Sequence, residues 1–497
     1  MKENKEKLNI NLDLDLTTKY IIQDIKNTII VFCNPLSGNQ EGKIILNTAS
    51  NFKTQENYRL MDFQYIKSNI KYEPIKAVFF ELINKEDNAK GQLLLKHCVE
   101  RCKQNFKNGL PENYHKIRTL IGGGDGTVLS MVESFKKNGT DINYCVFAHL
   151  PLGTGNDFAN TLGFSDHIDI SNNNINDLYN ILNKYYQAEF GKVDVWKMDL
   201  QLDNDEGEVL VNSKNGKMTL KDDNGNVIKR YIRSFINYVS LGYDARVGYN
   251  FDSRRTKSRN GNKCVYFLEG FKKITCRKTI TVQGFIDTFT IYDNSDNSFN
   301  QESFFSDLNS KDSVNTETKM NKIKFQFVSK KTYEKRNKTD NKCLVVKGDP
   351  CSIIFQNIKK YMSGVTDMWE KGKDQLAINV KNTDKEGENK YKKKLVNMAI
   401  QKQKYNDKML EVFTFDNGAN FGFEKIVGGL AKKIYHGRGP MEVKFLETPK
   451  YIENDKKNRI YLNLDGEYFH IVKPTLLTIE LNRDLCQGQL NFLIGNE

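Results

Sequence analysis

Residues 116–137 read KIRTLIGGGDGTVLSMVESFKK. The first six read as a strand, the next six are a glycine-rich loop, and the last ten repeat apolar residues at helical spacing. The stretch predicts one buried strand, one tight loop and one amphipathic helix. The same succession occurs on both sides of it. Upstream, TIIVFC at 28–33 leads into NPLSGNQEGK; downstream, YCVFAHLPL at 144–152 leads into GTGNDFANTLGF. Three such units with glycine-rich crests predict an α/β nucleotide-binding domain on a parallel sheet, its ligand at the carboxyl ends of the strands. We place this domain at residues 27–170, behind an N-terminal tail of residues 1–26.

The loops carry the chemistry. Gly122, Gly123, Gly124 and Gly126 lack a Cβ, so backbone N–H groups can approach a polyphosphate, and the helix that follows turns its positive end to the same anion. Asp125 stands where a carboxylate could hold a magnesium-bound water beside those phosphates. From the loop alone a tight turn with Asp125 as the helix N-cap stays open. In LPLGTGND, Gly153, Thr154, Gly155 and Asn156 form a second loop of the same kind, and the first unit adds Asn34, Ser37 and Gly38 as short groups suited to phosphate or ribose. GxxxxGK[ST] does not occur, which excludes an ordinary P-loop, and without HRD and DFG the protein-kinase arrangement is excluded too.

From about residue 190 the pattern changes to short alternating segments separated by turn signals such as DDNGN and LDG. This predicts a second, mainly antiparallel β-sandwich domain over residues 190–485. Three stretches interrupt it, at 201–228, 293–321 and 370–408. The last two are polar and rich in Lys, Asn, Asp, Glu and Ser, with too little apolar surface to offset chain ordering, so we expect mobile surface insertions.

The whole chain has 497 residues, room for two or three domains, and 75 Lys+Arg against 62 Asp+Glu leave a net charge of +13, which favours an anionic partner. No window has about 18 consecutive apolar residues, so no membrane-spanning helix is expected. The start MKENKEKLNINLDLDL has no apolar core and does not resemble a secretory signal, which points to a cytoplasmic protein. The nine cysteines form no CxxC pair and the six histidines no HExxH spacing, so zinc is not indicated.

Taken together, GGGDGT, the later LPLGTGNDFAN and the upstream NPLSG resemble the catalytic domain of eukaryotic diacylglycerol kinases. NYVSLGYDARVGYNF (237–251), KCVYFLEGFKK (263–273), SIIFQNIKKYMSGVTDMW (352–369) and LEVFTFDNGANFGF (410–423) resemble that family's accessory domain. Related sphingosine and ceramide kinases would carry Leu or Met in place of Thr127. The first loop departs from the family, with Leu36 where a Lys is common and Asn39 where a second Gly is common. The resemblance implies transfer of the ATP γ-phosphate, with magnesium, to the primary hydroxyl of diacylglycerol, giving phosphatidic acid.

LNLDGEYF (462–469) matches the family's DGE element, which the second domain contributes to the active site. A lipid hydroxyl needs a carboxylate to accept its proton, and Asp465 or Glu467 could serve. Asp-Gly between alternating apolar residues is equally the signature of a hairpin turn. RRTKSRNGNK (254–263) offers Arg254, Arg255, Lys257, Arg259 and Lys263 to an anionic bilayer, or to solvent as a charged loop. The family's zinc and calcium recruitment modules have no counterpart here. The implied partner is therefore diacylglycerol in a membrane surface with anionic lipid, not nucleic acid, and the implied location is peripheral. NAD kinase, a kinase for another lipid alcohol and a catalytically inactive membrane-surface binding protein are the alternatives.

Overall fold

The structure is a computed structural model and describes residues 15–37, 40–55, 58–66, 72–153, 155–165, 167–213, 216–252, 281–293, 321–328, 344–347, 350–361, 365–366, 368–372, 378–379, 401–447 and 460–495. The chain folds as two units, Met1–Val193 with Leu490–Glu497, and Asp194–Gln489.

The first unit is built on a seven-stranded sheet. Its strands in chain order are β1 (Thr28–Cys33), β2 (Arg59–Asp62), β3 (Lys76–Glu81), β4 (Ile117–Gly123), β5 (Cys145–Pro151) and β6 (Glu189–Asp194), joined by the C-terminal strand Gln489–Ile494. The spatial order is β2, β3, β1, β4, β5, Gln489–Ile494, β6. β1 pairs in parallel with both β3 and β4, and β4 with β5, while β2 runs antiparallel along the edge. Every residue of β1, β4 and β5 is buried, so these strands read as mainly apolar runs and not as alternating ones, with Thr28, Arg118, Thr119 and His149 as their buried polar members. Each fully covered Ile, Leu or Phe among them contributes about 2 kcal/mol through burial. Among the described residues six α-helices complete the unit: α1 (Leu16–Ile22), α2 (Glu41–Asn51), α3 (Lys85–Lys107), α4 (Asp125–Lys137), α5 (Asp157–Thr161) and α6 (Ile175–Gln187). The chain leaves β1 toward β3 on one side and returns to β4 on the other. The order therefore reverses between β1 and β4, where open α/β sheets bind ligands.

Two boundaries differ from those expected. Residues 15–26 are no tail: Asp15 caps α1 by accepting the Thr18 N–H at 2.9 Å, Ile21 and Ile25 are buried, and the Thr18 hydroxyl meets the Tyr58 hydroxyl at 2.9 Å. The expected gap from 170 to 190 holds α6, whose N-cap Asn174 accepts from the Asn176 and Asp177 N–H groups. The unit also reclaims the end of the chain, where Phe492 pairs with Phe147 of β5 and packs on Phe158 at 4.9 Å between ring centroids.

The second unit is a β-sandwich. One eight-stranded sheet runs Arg230–Phe235, Trp196–Leu202, Pro474–Leu481, Met441–Phe445, Ile286–Asp293, Asn321–Val328, Leu344–Lys347, Ile378–Asn379. The other runs Lys432–Gly437, Leu410–Phe415, Ser352–Gln356, Tyr238–Gly242, Ile460–Leu464, Glu467–Val472, Glu208–Ser213, Gly216–Thr219. Neighbours pair antiparallel, except that Asn321–Val328 and Leu344–Lys347 are parallel. Trp196, Met198 and Phe289 of the first sheet share one core with Val239, Phe355 and Leu462 of the second. Helix α7 (Tyr243–Asp252) lays Ala245 and Tyr249 against Tyr461.

The interruptions resolve unequally. Within 201–228, Glu208–Ser213 and Gly216–Thr219 form a hairpin that extends the second sheet through the pairing of His470 with Leu210. This segment is sheet, not insertion, because Val209 enters the core. The stretch 293–321 joins two paired strands, with Asp293 opposite Asn321; residues 294–320 lie outside the described residues. Of 370–408, residues 401–408 are tied down: Gln401 O accepts the Trp369 indole N–H at 2.9 Å, and buried Gln403 donates to Ile358 O at 3.1 Å. Residues 373–377 and 380–400 lie outside the described residues.

Candidate functional site

At the crest of the first unit, loops leave β1, β4 and β5 side by side. The backbone N–H of Asn34 donates to Gly122 O at 2.9 Å, and the Leu152 N–H donates to Gly123 O at 3.1 Å. Asn34 Oδ1 accepts the Leu36 N–H at 3.0 Å and the Ser37 N–H reaches Asn34 O at 3.2 Å, so the first loop is a tight turn. Leu36 at its tip is 76% exposed. Gly38 and Thr154 lie outside the described residues.

The glycines of this crest divide by what a Cβ would meet. At Gly122 it would lie 3.0 Å from Leu152 Cδ1 and 3.2 Å from Cys33 Sγ, and at Gly123 it would press on the Thr127 side chain at 2.7 Å. Thr127 thus folds back under the loop. At Gly153 a Cβ would come within 2.8 Å of Gly124 Cα. These three are glycines so that the loops can pack. At Gly124 the nearest atom among the described residues would be Gly153 Cα, 4.0 Å away, and its φ of −86° and ψ of 172° suit any residue. Among the described residues nothing fills the space over Gly124. Among the described residues the N–H groups of Gly124 and Gly126, at the start of α4, donate to no protein acceptor. An open face with unsatisfied donors at the positive end of a helix fits a phosphate.

Asp125 has a different position from the one its sequence suggests. Gly124 is the N-cap of α4, and Asp125 is its first residue. Its carboxylate reaches across to the second loop, where Oδ2 accepts the Asp157 N–H at 3.1 Å and Oδ1 the Phe158 N–H at 3.4 Å. The side chain is one-tenth exposed. It ties the two glycine loops together at the start of α5, in place of the capping role. Asn156 is likewise a clasp: it accepts the Gly153 N–H and donates to Gly153 O, both at 2.9 Å, with φ at +55°. Its side-chain amide holds the loop instead of facing outward.

Two residues here went unassigned in the sequence. A Cβ at Gly42 would lie 2.1 Å from Asn34 O, so only glycine lets α2 begin against the first loop. His149 is fully buried in β5, with Nε2 3.0 Å from Gly123 O and Nδ1 3.3 Å from Asp125 Oδ1. Burial pushes its imidazole down to about 4, so the ring is neutral. The available signal was a lone polar ring inside CVFAHLP, directly before a glycine loop.

In the second unit, the expected Asp-Gly turn joins Ile460–Leu464 to Glu467–Val472, with Asp465 at φ +46° and Gly466 at φ +84°. The two carboxylates beside it are in unlike surroundings. Asp465 is buried and accepts the backbone N–H groups of Ile236, Asn237 and Tyr238, each at 2.9 Å. Asn357 of the QNI segment secures the same loop, donating to Ile236 O at 2.7 Å while accepting from the Trp196 indole at 3.1 Å. Glu467 is 44% exposed, with Arg233 Nη2 3.4 Å from its Oε2. The five cations at 254–263 and the segment 263–273 lie outside the described residues.

Among the described residues, no three His, Cys, Asp or Glu side chains converge as a metal set, and no helix is long and apolar enough to cross a membrane.

Comparison with known proteins covers both units. The diacylglycerol kinase catalytic domain matches residues 28–195, and the diacylglycerol kinase accessory domain matches residues 234–468. Diacylglycerol kinase 7 of Arabidopsis thaliana is 26% identical over 244 residues, 46% of this chain and 44% of that protein. Probable diacylglycerol kinase 3 of Caenorhabditis elegans is 29% identical over 157 residues, 30% of this chain and 18% of the other. Human diacylglycerol kinase kappa is 34% identical over 90 residues, 18% and 6% of the two chains. The matched part of the chain spans less than half the length of these relatives.

Proposed function

Because the chain belongs to the diacylglycerol kinase family, we propose that it transfers the γ-phosphate of ATP to the free primary hydroxyl of diacylglycerol in a membrane surface, giving phosphatidic acid and ADP. The observation that carries this reading is the crest at Gly124, where among the described residues a Cβ would meet nothing nearer than Gly153 Cα at 4.0 Å and two backbone N–H groups donate to no protein acceptor. The polyphosphate of ATP fills that space, with Asn34, Ser37 and the Gly153 loop as its walls. Thr127, Asp125 and Asn156 act on it indirectly, by holding the loops.

Magnesium is treated apart from the nucleotide. Asp125 already accepts two backbone N–H groups, and the described side chains offer no set that would hold the ion directly. These residues do not fit a protein-ligated magnesium; an ion that arrived bound to the phosphates would neutralise their charge.

For the acceptor, Glu467 takes the proton from the attacking hydroxyl. It is half-exposed, and among the described residues Arg233 is the group placed against its carboxylate. Asp465 holds the loop 236–238 by its three backbone bonds and serves as a support. The +13 charge favours an anionic bilayer as the place of reaction.

Labelled ATP with magnesium, offered together with diacylglycerol, sphingosine, ceramide and NAD in mixed micelles, tests the reading. Labelled phosphatidic acid is the expected product. Label on another acceptor would move the chain to that acceptor's class, and no label on any would leave a binding protein.

A further inference from the structure

His149 sits beneath the first glycine loop, and three contacts fix it. Its backbone O accepts the Tyr185 hydroxyl at 2.9 Å, its ring stacks on Phe158 with centroids 6.2 Å apart, and Nε2 meets Gly123 O at 3.0 Å. A carbonyl oxygen can only accept, so the hydrogen of the neutral ring is on Nε2. Nδ1 then turns a lone pair toward Asp125 Oδ1, 3.3 Å away, and has no hydrogen-bond partner. Two acceptors facing each other in a buried place cost free energy, and an apolar side chain would avoid that cost. The stabilising contact must then be the one at Gly123.

That contact governs the exposed side of the crest. Gly122 O points toward β1, where it accepts from Asn34, and Gly123 O points toward β5, where it accepts from Leu152 and from His149. In a planar trans peptide the N–H lies opposite the C=O. The Gly124 N–H is therefore aimed away from β5, toward the β1 side, where the strand order reverses. If the Gly123–Gly124 peptide rotated, that donor would leave the open space over Gly124. The Leu152 N–H alone opposes the rotation with a single bond at 3.1 Å; His149 supplies a second donor from below.

We propose that His149 is a positioning residue for phosphoryl transfer, its Nε2–H holding the Gly123–Gly124 peptide so that the Gly124 N–H faces a bound phosphate; this rests on the nucleotide site proposed at the crest. His149 touches no substrate itself. It pre-pays the ordering of a donor that must be in place when charge develops on the phosphoryl group.

Three variants of the full chain separate this role from simple packing. His149→Gln can place an amide N–H near the Nε2 position; His149→Asn keeps a polar group near Asp125 but falls short of Gly123; His149→Leu removes both. Equilibrium binding of ATP, the KM for ATP, the KM for diacylglycerol and the melting temperature are measured for each. Leu and Asn are expected to raise the ATP dissociation constant and KM about fivefold or more, the loss of one buried hydrogen bond, with the KM for diacylglycerol within about twofold. Gln is expected to restore most of the difference. Wild-type ATP affinity in His149→Leu, or equal impairment in Gln and Asn, would overturn the proposal. Should the Leu variant not fold, the comparison of Gln with Asn decides. Failure of the unaltered protein to bind ATP would instead refute the nucleotide site itself.

Discussion

Replacing Gly124 by alanine separates the protein's own needs from those of a ligand. Among the described residues a methyl group there would meet nothing nearer than Gly153 Cα at 4.0 Å, and the backbone at φ −86° accepts it without strain. Removing a glycine from the unfolded chain stabilises the fold by about 0.4–1 kcal/mol, so the melting temperature should rise by about 1–3 °C. The same methyl occupies the space we assign to phosphate. Displacing a reacting phosphoryl group by about 1 Å costs on the order of 100-fold in rate, so kcat/KM for ATP should fall by about two decades while the protein becomes more stable. Gly153→Ala makes the opposite control. Its Cβ would lie 2.8 Å from Gly124 Cα and 2.7 Å from Asn156 Oδ1, so backbone must shift, at about 1–3 kcal/mol, and the melting temperature should drop by on the order of 5 °C. The assay is steady-state phosphorylation in mixed micelles with thermal melts of the same preparations. Gly124→Ala with wild-type kcat/KM would refute the phosphate placement, and Gly124→Ala with a lowered melting temperature would refute the packing argument.

Other outcomes follow from the second unit. Asp465→Asn points an amide N–H at backbone donors and should cost about 1–3 kcal/mol in melting experiments, whereas Glu467→Gln should leave the melt unchanged and lower kcat with the KM for ATP preserved; reversal of the two effects would exchange their roles. Glu411 is fully buried, and burial followed by repulsion from Asp407 raises its carboxyl well above 4.5, while burial pushes His436, 3.4 Å away, down to about 4. A raised carboxyl contributes stability that is complete below its unfolded value and is lost as pH climbs through its folded value. Glu411→Gln keeps the acceptor for Gln403 and adds a donor toward His436, so its melting temperature should gain on the wild type as pH rises from about 5 to about 8; a constant difference would show that Glu411 does not titrate there. Vesicle binding should strengthen with anionic lipid and weaken between about 0.05 and 0.5 M salt, as the screening length shortens; salt-independent binding would remove the role given to the +13 charge.

What sequence alone determined is local in origin. A strand buried on both faces is mainly apolar, and glycine is needed where crest loops touch, so TIIVFC, KIRTLI and YCVFAHLPL with the loops that follow them point to the parallel sheet, although Arg118 and His149 are polar residues buried within it. The Asp465-Gly466 turn was legible for the same reason, since few residues accept two successive positive φ values. Motif order carried the family. Partnerships across the chain had no such signal. Alternation in QLNFLI suits any sheet, and only folding brings Phe492 beside Phe147. The helix at 16–22 reads as a polar tail until Ile21 and Ile25 find a core. Asp125 and Asp465 look alike as acidic residues next to glycine, yet one ties α5 and the other binds N–H groups more than 200 positions away, at 236–238. Neither contact has a local sequence correlate. A carboxylate goes where unsatisfied backbone donors are left over, and which donors those are is settled only when distant segments have packed.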